Sequence, residues 1–493
     1  MDESNKPLKS RALSAIFWKL LENGGTQGIV FLVTVVLARL IDPGEYGVLS
    51  LTVIFTSIAG VFVQRGFSMS LVQKKDADDV DFNSVFYFSL FLAALLYAAL
   101  FFAAPFIARY YDTPAVCAVL RVIALILFAG AINSVQSAIL MRALDFRKRF
   151  VVSFVSVILS GTVGVTMALL GKGVWALVAQ QLTDSFVMGV GLWIATGWRP
   201  RRCFSFERLG KLFSFGWKLL VSSLLETVYS DLSGLVIGKR YSTSMLAYYD
   251  KGRKFPQLAG TNITGAIQSA MFPTFSIAQD DRERLLGMLR RSVAVSAFLM
   301  FPLMAGLAAT GAPLIRLILT EKWALSVPFL QIFCITFAMY PIDATVLQAI
   351  NALGRSDVYL ALEIVKKVVG IALLAAAVFF FDSAAALAWA LAATAVVSVV
   401  CNAVPARRLV GYRFIDQCKD VLPSFGISII MGLCVYAVSF LRLSDAVTLL
   451  IQLPLGVALY VLLCRLCRLD SYAYALTTVK EFIAKKRHKA QEE

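Results

Sequence analysis

The sequence is poor in charge. Asp, Glu, Lys and Arg make up 16% of its 493 residues, against 59% hydrophobic residues and a mean hydropathy of +0.76. A soluble chain of this length would need more charged surface to stay in solution. Histidine is nearly missing: His488 stands alone in a charged tail, which excludes a histidine-based proton relay. No Walker-type glycine loop occurs, so the chain does not itself hydrolyse a nucleotide. The eight cysteines are scattered, and the one close pair, Cys464 and Cys467, has no second pair to complete a metal site. They read as small apolar packing residues, and neither a metal nor a cofactor is expected. No sizeable soluble domain fits either, because the gaps between apolar runs reach only about 20 residues. The first apolar segment is too long, and too polar in its middle, for a secretory signal, and no small-residue cleavage site follows it.

What is present is a succession of apolar runs long enough to cross hydrocarbon as helices, about fourteen of them, from 14–38 to 446–466. The expected fold is therefore an all-α integral membrane protein. The run at 250–276 is the most polar at its start, with Asp250, Lys251, Arg253 and Lys254, but Leu258 to Phe275 is span-like. Basic residues occupy alternate loops: Lys74 and Lys75, Arg142 with Arg147 to Arg149, Arg199 to Arg202, Arg290 and Arg291, Arg407 and Arg408. Basic loops stay cytoplasmic, so both termini are expected inside the cell. The formal net charge of +16 has the same origin and does not indicate nucleic-acid binding.

Two spans about 200 residues apart read as copies. The first contains Phe17-Trp18-Lys19-Leu20-Leu21-Glu22, the second Gly216-Trp217-Lys218-Leu219-Leu220 followed by Glu226. Each ends on a basic exit, Arg39 or Lys239-Arg240, and runs on to Tyr46-Gly47 or Ala247-Tyr248. A repeat of six spans brings both copies into the membrane from the same side, which predicts two lobes, 1–200 and 201–410, related by an axis along the membrane normal. The remaining segment, 411–493, then holds two extra helices and a basic tail.

Helical phase singles out three polar stripes. Lys19, Glu22, Asn23, Thr26 and Gln27 fall within about 140°, and Lys218, Ser222, Glu226 and Tyr229 within about 80°. Asp250, Arg253, Gln257, Thr261, Thr264 and Gln268 form one stripe down the span at 250–276. Such stripes cannot face acyl chains, and charges at bilayer depth mark functional positions. Isolated polar residues (Asn133, Gln136, Gln180, Gln181, Asn402) read instead as interhelical hydrogen bonds. Asp343, beyond Pro341, fits either a coupling-cation site or a cap at the helix break. Glu363, Lys366 and Lys367 have the spacing of an intrahelical ion pair near a span end. Asp184 has no evident partner in the sequence.

Several ordered motifs carry a family resemblance. They are Leu8 to Trp18, Leu37 to Gly47, Gln64-Arg65-Gly66-Phe67-Ser68, Leu144 to Arg149, and Gly173 to Val178. They continue with Tyr248 to Leu258, Leu319 to Trp323, Pro328 to Ile332, and Gly354 to Asp357. Together they resemble the Wzx-type lipid-linked oligosaccharide flippases, within the branch associated with colanic acid and teichuronic acid export. That family belongs to the multidrug/oligosaccharidyl-lipid/polysaccharide superfamily.

The resemblance implies two six-helix lobes plus two C-terminal helices in a bacterial cytoplasmic membrane. It also implies ion-coupled alternating access that moves undecaprenyl-diphosphate-linked oligosaccharide to the outer leaflet. Lys19, Arg65, Lys218 and Arg253, with Gln257, Thr261 and Gln268, then become candidate cargo contacts. Glu22, Glu226, Asp250 and Asp343 become candidates for ion coupling or switching, the ion being sodium or a proton. Lys218 with Glu226 and Arg253 with Asp250 are the expected switching pairs. The expected partners are the lipid-linked glycan, membrane lipids, and glycan polymerase and glycosyltransferases. The alternative is a small-molecule efflux pump of the same superfamily, whose cavity should be more acidic than basic. A glycan polymerase or other enzyme is disfavoured, because no paired carboxylates lie on a sizeable outer loop.

Overall fold

The computed structural model describes residue 18, residues 22–143 and 145–473, and residue 477. These residues form helices joined by short turns, with no strand among them. In order they are α1 (Gln27–Leu40, entered through a π-turn at Glu22–Thr26), α2 (Pro43–Gln73), α3 (Asp79–Tyr110), α4 (Ala115–Ile123), α5 (Ile126–Ala143), α6 (Phe146–Leu169), α7 (Val174–Thr196) and α8 (Phe206–Arg240). Next come α9 (Thr243–Ile277), α10 (Arg282–Leu319), α11 (Val327–Ala352), α12 (Ser356–Phe380), α13 (Ala384–Leu409), α14 (Phe414–Ala437) and α15 (Asp445–Leu466).

Length and apolar composition qualify ten segments as membrane spans, with α4 and α5 counted as one. The protein is thus an all-α, multi-pass membrane protein. Helices also lie over 174–196, 250–276 and 358–380, where Gln180, Gln181 and Asp184, the polar residues from Gln257 to Ser269, and Glu363, Lys366 and Lys367 lower the apolarity. The span expected at 115–140 departs in one respect: the α-helix is interrupted between Ile123 and Ile126.

The helix starts follow local chemistry. Asp78 accepts from the amides of Val80 and Asp81 while Asp81 reaches back to the Asp78 amide, a full capping box for α3. Asp145, Ser205 and Asp281 accept from the amides of Lys148, Arg208 and Arg284 at the starts of α6, α8 and α10. Gly197, at φ +68°, closes α7 in the left-handed conformation that glycine tolerates.

The contacts gather into two compact units, one up to Ala247 and one from Tyr248. In the first unit α2 is the hub and packs against α3, α4, α5 and α8. A Cβ on Gly47 of α2 would stand 1.7 Å from the Thr243 carbonyl oxygen, so the two backbones touch there. Phe67 and Leu71 of α2 join Val85 and Phe86 of α3, Val135 and Ala138 of α5, and Leu209 and Leu212 of α8 in one apolar core.

In the second unit α10 packs against α11, α14 and α15, and α11 packs against α13. The two terminal helices dock on α10 through Ile427, Met431, Val435 and Tyr460, and the Tyr460 hydroxyl donates to the Phe298 carbonyl at 2.7 Å. Tyr249, Gly252 and Gly260 of α9 lie against Phe329, Phe333 and Phe337 of α11. All eight cysteines are free thiols.

Candidate functional site

Three main groups of polar side chains, and one smaller set, lie within or at the ends of the spans. The first is the set of expected stripes. Lys19 lies outside the described residues, and so do the side chains of Glu22 and Arg65. On α8, Lys218 and Glu226 are both exposed and two turns apart on one helix. One turn further, Asp231 accepts a hydrogen bond from the Ser57 hydroxyl of α2 at 3.0 Å, within the first unit.

The α9 stripe is only partly open. Asp250, Arg253, Gln257 and Gln268 are half-buried, Thr261 is exposed, and Thr264 is buried with no partner for its hydroxyl among the described residues. The cause is geometric. The row of Gly252, Pro256 and Gly260 that meets α11 drifts by about 40° at each i+4 step, and by Thr264 it has rotated into the stripe. Lys251, beside the stripe, stands over the Trp323 ring at 5.5 Å, a cation–π contact in the second unit.

The second group joins α11, α12 and α13 of the second unit. The Lys366 ammonium is 3.0 and 3.2 Å from the two Asp343 carboxylate oxygens and 3.3 Å from Glu363 Oε1. The Asn402 amide donates to Asp343 Oδ1 at 2.8 Å and to the Asp343 carbonyl at 3.3 Å. Lys367 Nζ lies 4.0 Å from Glu363 Oε2. The lysine side chain is 7% exposed. Helical spacing alone predicts the Glu363–Lys366 pair, which the structure contains. It misses the stronger bond to Asp343, because residues 23 positions apart on two helices leave no periodic trace. Two lysines, Lys366 and Lys367, within a turn of Glu363 and followed by a long apolar run, are the available signal.

A smaller polar set lies in the first unit. Asp184 accepts from the Ser156 hydroxyl at 2.7 Å, which supplies the partner the sequence left open. Asn133 donates to the Ser185 carbonyl at 3.2 Å, and Gln136 accepts from Thr196. These bonds tie α5, α6 and α7 together.

The third group is a knot of charges at the turn between α2 and α3, on the side where the sequence places the basic loops. Lys74 Nζ contacts Asp81 Oδ2 at 2.6 Å, and Arg208 pairs with Asp78. Arg201 pairs with Asp79 at 3.0 Å. Arg142, from the end of α5, donates to the carbonyls of Leu71 at 2.7 Å and Lys75 at 2.9 Å, and also to that of Lys74. The hydrogen bond from Arg208 holds the Asp78 carboxyl below the usual carboxylate range. The chain from Arg199 to Arg208 is thereby fastened to the α2–α3 turn. Basic residues that first read as topology signals thus hold specific carboxylates and carbonyls. Among the described residues no three His, Cys, Asp or Glu side chains converge as metal ligands.

Long apolar helices that carry buried ion pairs and carboxylates between them are the make-up expected of a helical membrane transporter. Its fold is that of the lipid II flippase MurJ in the inward closed conformation: the match has a TM-score of 0.72 at 13% identity and covers 92% of this chain and 98% of that one. The profile of the polysaccharide biosynthesis protein family matches residues 36–328, and the chain belongs to that family. It is similar to the succinoglycan biosynthesis transport protein ExoT of Rhizobium meliloti (strain 1021), with 25% identity over 69% of each chain. It is also similar to the lipopolysaccharide biosynthesis protein WzxC of Escherichia coli (strain K12), with 19% identity over 71% of this chain and 72% of that one. The family membership agrees with the resemblance carried by the motifs.

Proposed function

We propose that this protein moves undecaprenyl-diphosphate-linked oligosaccharide units from the cytoplasmic to the outer leaflet of a bacterial cytoplasmic membrane. Both termini are then on the cytoplasmic side. The observation that carries the reading is the family match across 36–328 in a chain with a transporter fold. The two relatives, named for succinoglycan transport and lipopolysaccharide biosynthesis, support it. So does the position of cations: Lys218 on α8 and Arg253 on α9 suit an anionic diphosphate, which an organic-cation pump would repel.

In this reading Lys19, Arg65, Lys218 and Arg253 contact the diphosphate, while Gln257, Thr261 and Gln268 offer hydrogen bonds to sugars. Glu22, Glu226, Asp250 and Asp343 serve ion coupling or switching. The polymerase and glycosyltransferases of the same glycan are its working partners.

The test is the leaflet distribution of lipid-linked glycan in a strain lacking the protein and any redundant exporter. Expected are cytoplasm-facing intermediates and loss of surface polysaccharide, restored by wild type but reduced at least about tenfold with Lys218→Ala or Arg253→Ala at equal protein level, the cost of a charge-assisted hydrogen bond. Unchanged intermediates would move the reading to small-molecule efflux. Full export by both variants would remove the cationic contacts.

A further inference from the structure

The least explained feature of the second unit is a lysine held between two carboxylates on different helices. Lys366 lies about 15 Å along α12 from its start, and Asp343 about 14 Å from the end of α11, each more than two helical turns from that helix end, and the lysine side chain is buried. Placing both ions there costs several kcal/mol per ion, and apolar residues of similar size would pack at least as well. A pair kept at such depth is expected to work rather than merely to hold.

We propose that Asp343 and Lys366 form the proton-operated element of the transporter, with the Lys366 ammonium as a resident cation that passes between Asp343 and Glu363. The proposal rests on the transport reading above. Three observations support it. The ammonium already contacts both carboxylates, Asp343 at 3.0 Å and Glu363 at 3.3 Å. One contact bridges α11 to α12, whereas the other stays within α12. The bridge also adjoins a weak point in α11: Pro341 lacks the amide that would bond to Phe337, and the Thr345 hydroxyl turns back to the Pro341 carbonyl at 2.6 Å.

The step balances simply. A proton adds to a carboxylate oxygen of Asp343, and one O–H bond forms. The ammonium keeps its three protons and moves fully to Glu363. The ionic tie between α11 and α12 is then lost, leaving the Asn402 hydrogen bond to hold Asp343. Release of the proton on the other side restores the tie. A sodium ion has no place in the cycle, since the ammonium occupies the position between the carboxylates that it would need.

Few other charges can disturb this balance. Facing groups are Glu363, Lys366 and Lys367 from α12 and the uncharged Asn402 from α13. The other helices packed on α11 carry no charge at this level: α10 has none from Ser292 to Ile315, α13 none from Ala384 to Ala406, and α9 none from Phe255 to Ile277.

The experiment uses the purified full-length protein in lipid vesicles. Infrared difference spectra between pH 8 and pH 5 read the protonated-carboxyl stretch in wild type, Asp343→Asn, Lys366→Met and Glu363→Gln. A band that grows as pH falls and is missing in Asp343→Asn is expected. Lys366→Met and Glu363→Gln should displace its midpoint in opposite directions, up and down, by about 1–3 pH units for the loss of a charge this close. Replacing choline chloride by sodium chloride should leave the band unchanged. A band that survives in Asp343→Asn, midpoints unmoved in both other variants, or displacement of the band by sodium would each overturn the proposal. Either of the two other variants suffices if one fails to fold. The spectra need no cargo, so they separate the two claims. Trapped glycan in the deletion strain with no Asp343 band would sink the proton element alone, and a normal titration with unaltered glycan would sink the transport reading alone.

Discussion

At the scale of single residues, the side chains that look like topology signals are also structural bonds. Arg142 is the clearest case. Its guanidinium serves the carbonyls at the open end of α2, which no backbone amide reaches. Arg142→Ala should destabilise the protein by about 1.5–3 kcal/mol, as expected for a lost charged hydrogen-bond set, and lower the melting temperature in detergent. Arg142→Lys should recover only part of it, because an ammonium cannot fork across several carbonyls. A melting temperature unchanged in Arg142→Ala would show that water replaces the arginine at no cost.

Acid sensitivity is decided residue by residue as well. The Arg355 guanidinium, bonded through two nitrogens to Asp357 at 3.0 and 2.8 Å, holds that carboxyl at about 2. The folded value is below the unfolded one of about 3.9, so the contribution is whole above about pH 4 and is lost as pH falls toward 2. The melting temperatures of wild type and Asp357→Asn should therefore differ by the same amount at pH 6 and pH 8. A difference that changes between those values would assign the effect to another group.

At the scale of elements, the family motifs turn out to be largely devices for packing and turning. Gly47 brings α2 against the start of α9, and Gly173, at φ +52°, lies under the Glu45 carboxylate before α7. Asp145 caps α6, Trp323 is wholly buried beneath Tyr248 and Lys251, and Asp357 pairs with Arg355. Gly47→Ala should be among the most damaging small substitutions in the chain. Its methyl would collide with backbone rather than with a side chain that can swing away, and overpacking of this kind costs about 1–3 kcal/mol or more. Gly60→Ala, where the nearest atom is the Gln64 amide nitrogen at 3.7 Å, is the control expected to be neutral. Equal amounts of folded Gly47→Ala and Gly60→Ala, measured by size-exclusion of detergent extracts, would contradict this account.

The same contrast explains what was legible beforehand. Span positions and helix type follow from apolar run length, which is a local property. The interruption after Ile123 was not legible, because nothing in the apolar run from 115 to 140 marks a break. The polar stripe of α9 was legible as a stripe, yet its partial burial was not. That depends on Gly252 and Gly260 admitting the aromatic face of α11, a contact between distant segments. Asp343 could be singled out as a carboxylate beyond Pro341 in an apolar run, whereas its bond to Lys366 could not.

At the scale of the whole molecule, one contact has a bearing on how the chain is made. Gly47 and Thr243 touch backbone to backbone within the first unit, and α8 closes on α2 beside them. These partners are 196 positions apart in the sequence. At synthesis rates of about 5–20 residues per second, α2 must wait about 10–40 s in the bilayer before its last neighbour emerges from the ribosome. During that interval the tight groove at Gly47 and the apolar side meant for α8 face lipid or the insertion machinery. A rare-codon pause that falls after α2 has emerged and before Thr243 has emerged would prolong that exposure, and one that falls after Thr243 has left the ribosome would not. The timing of translation, and not only the sequence, thus bears on the yield of this membrane protein.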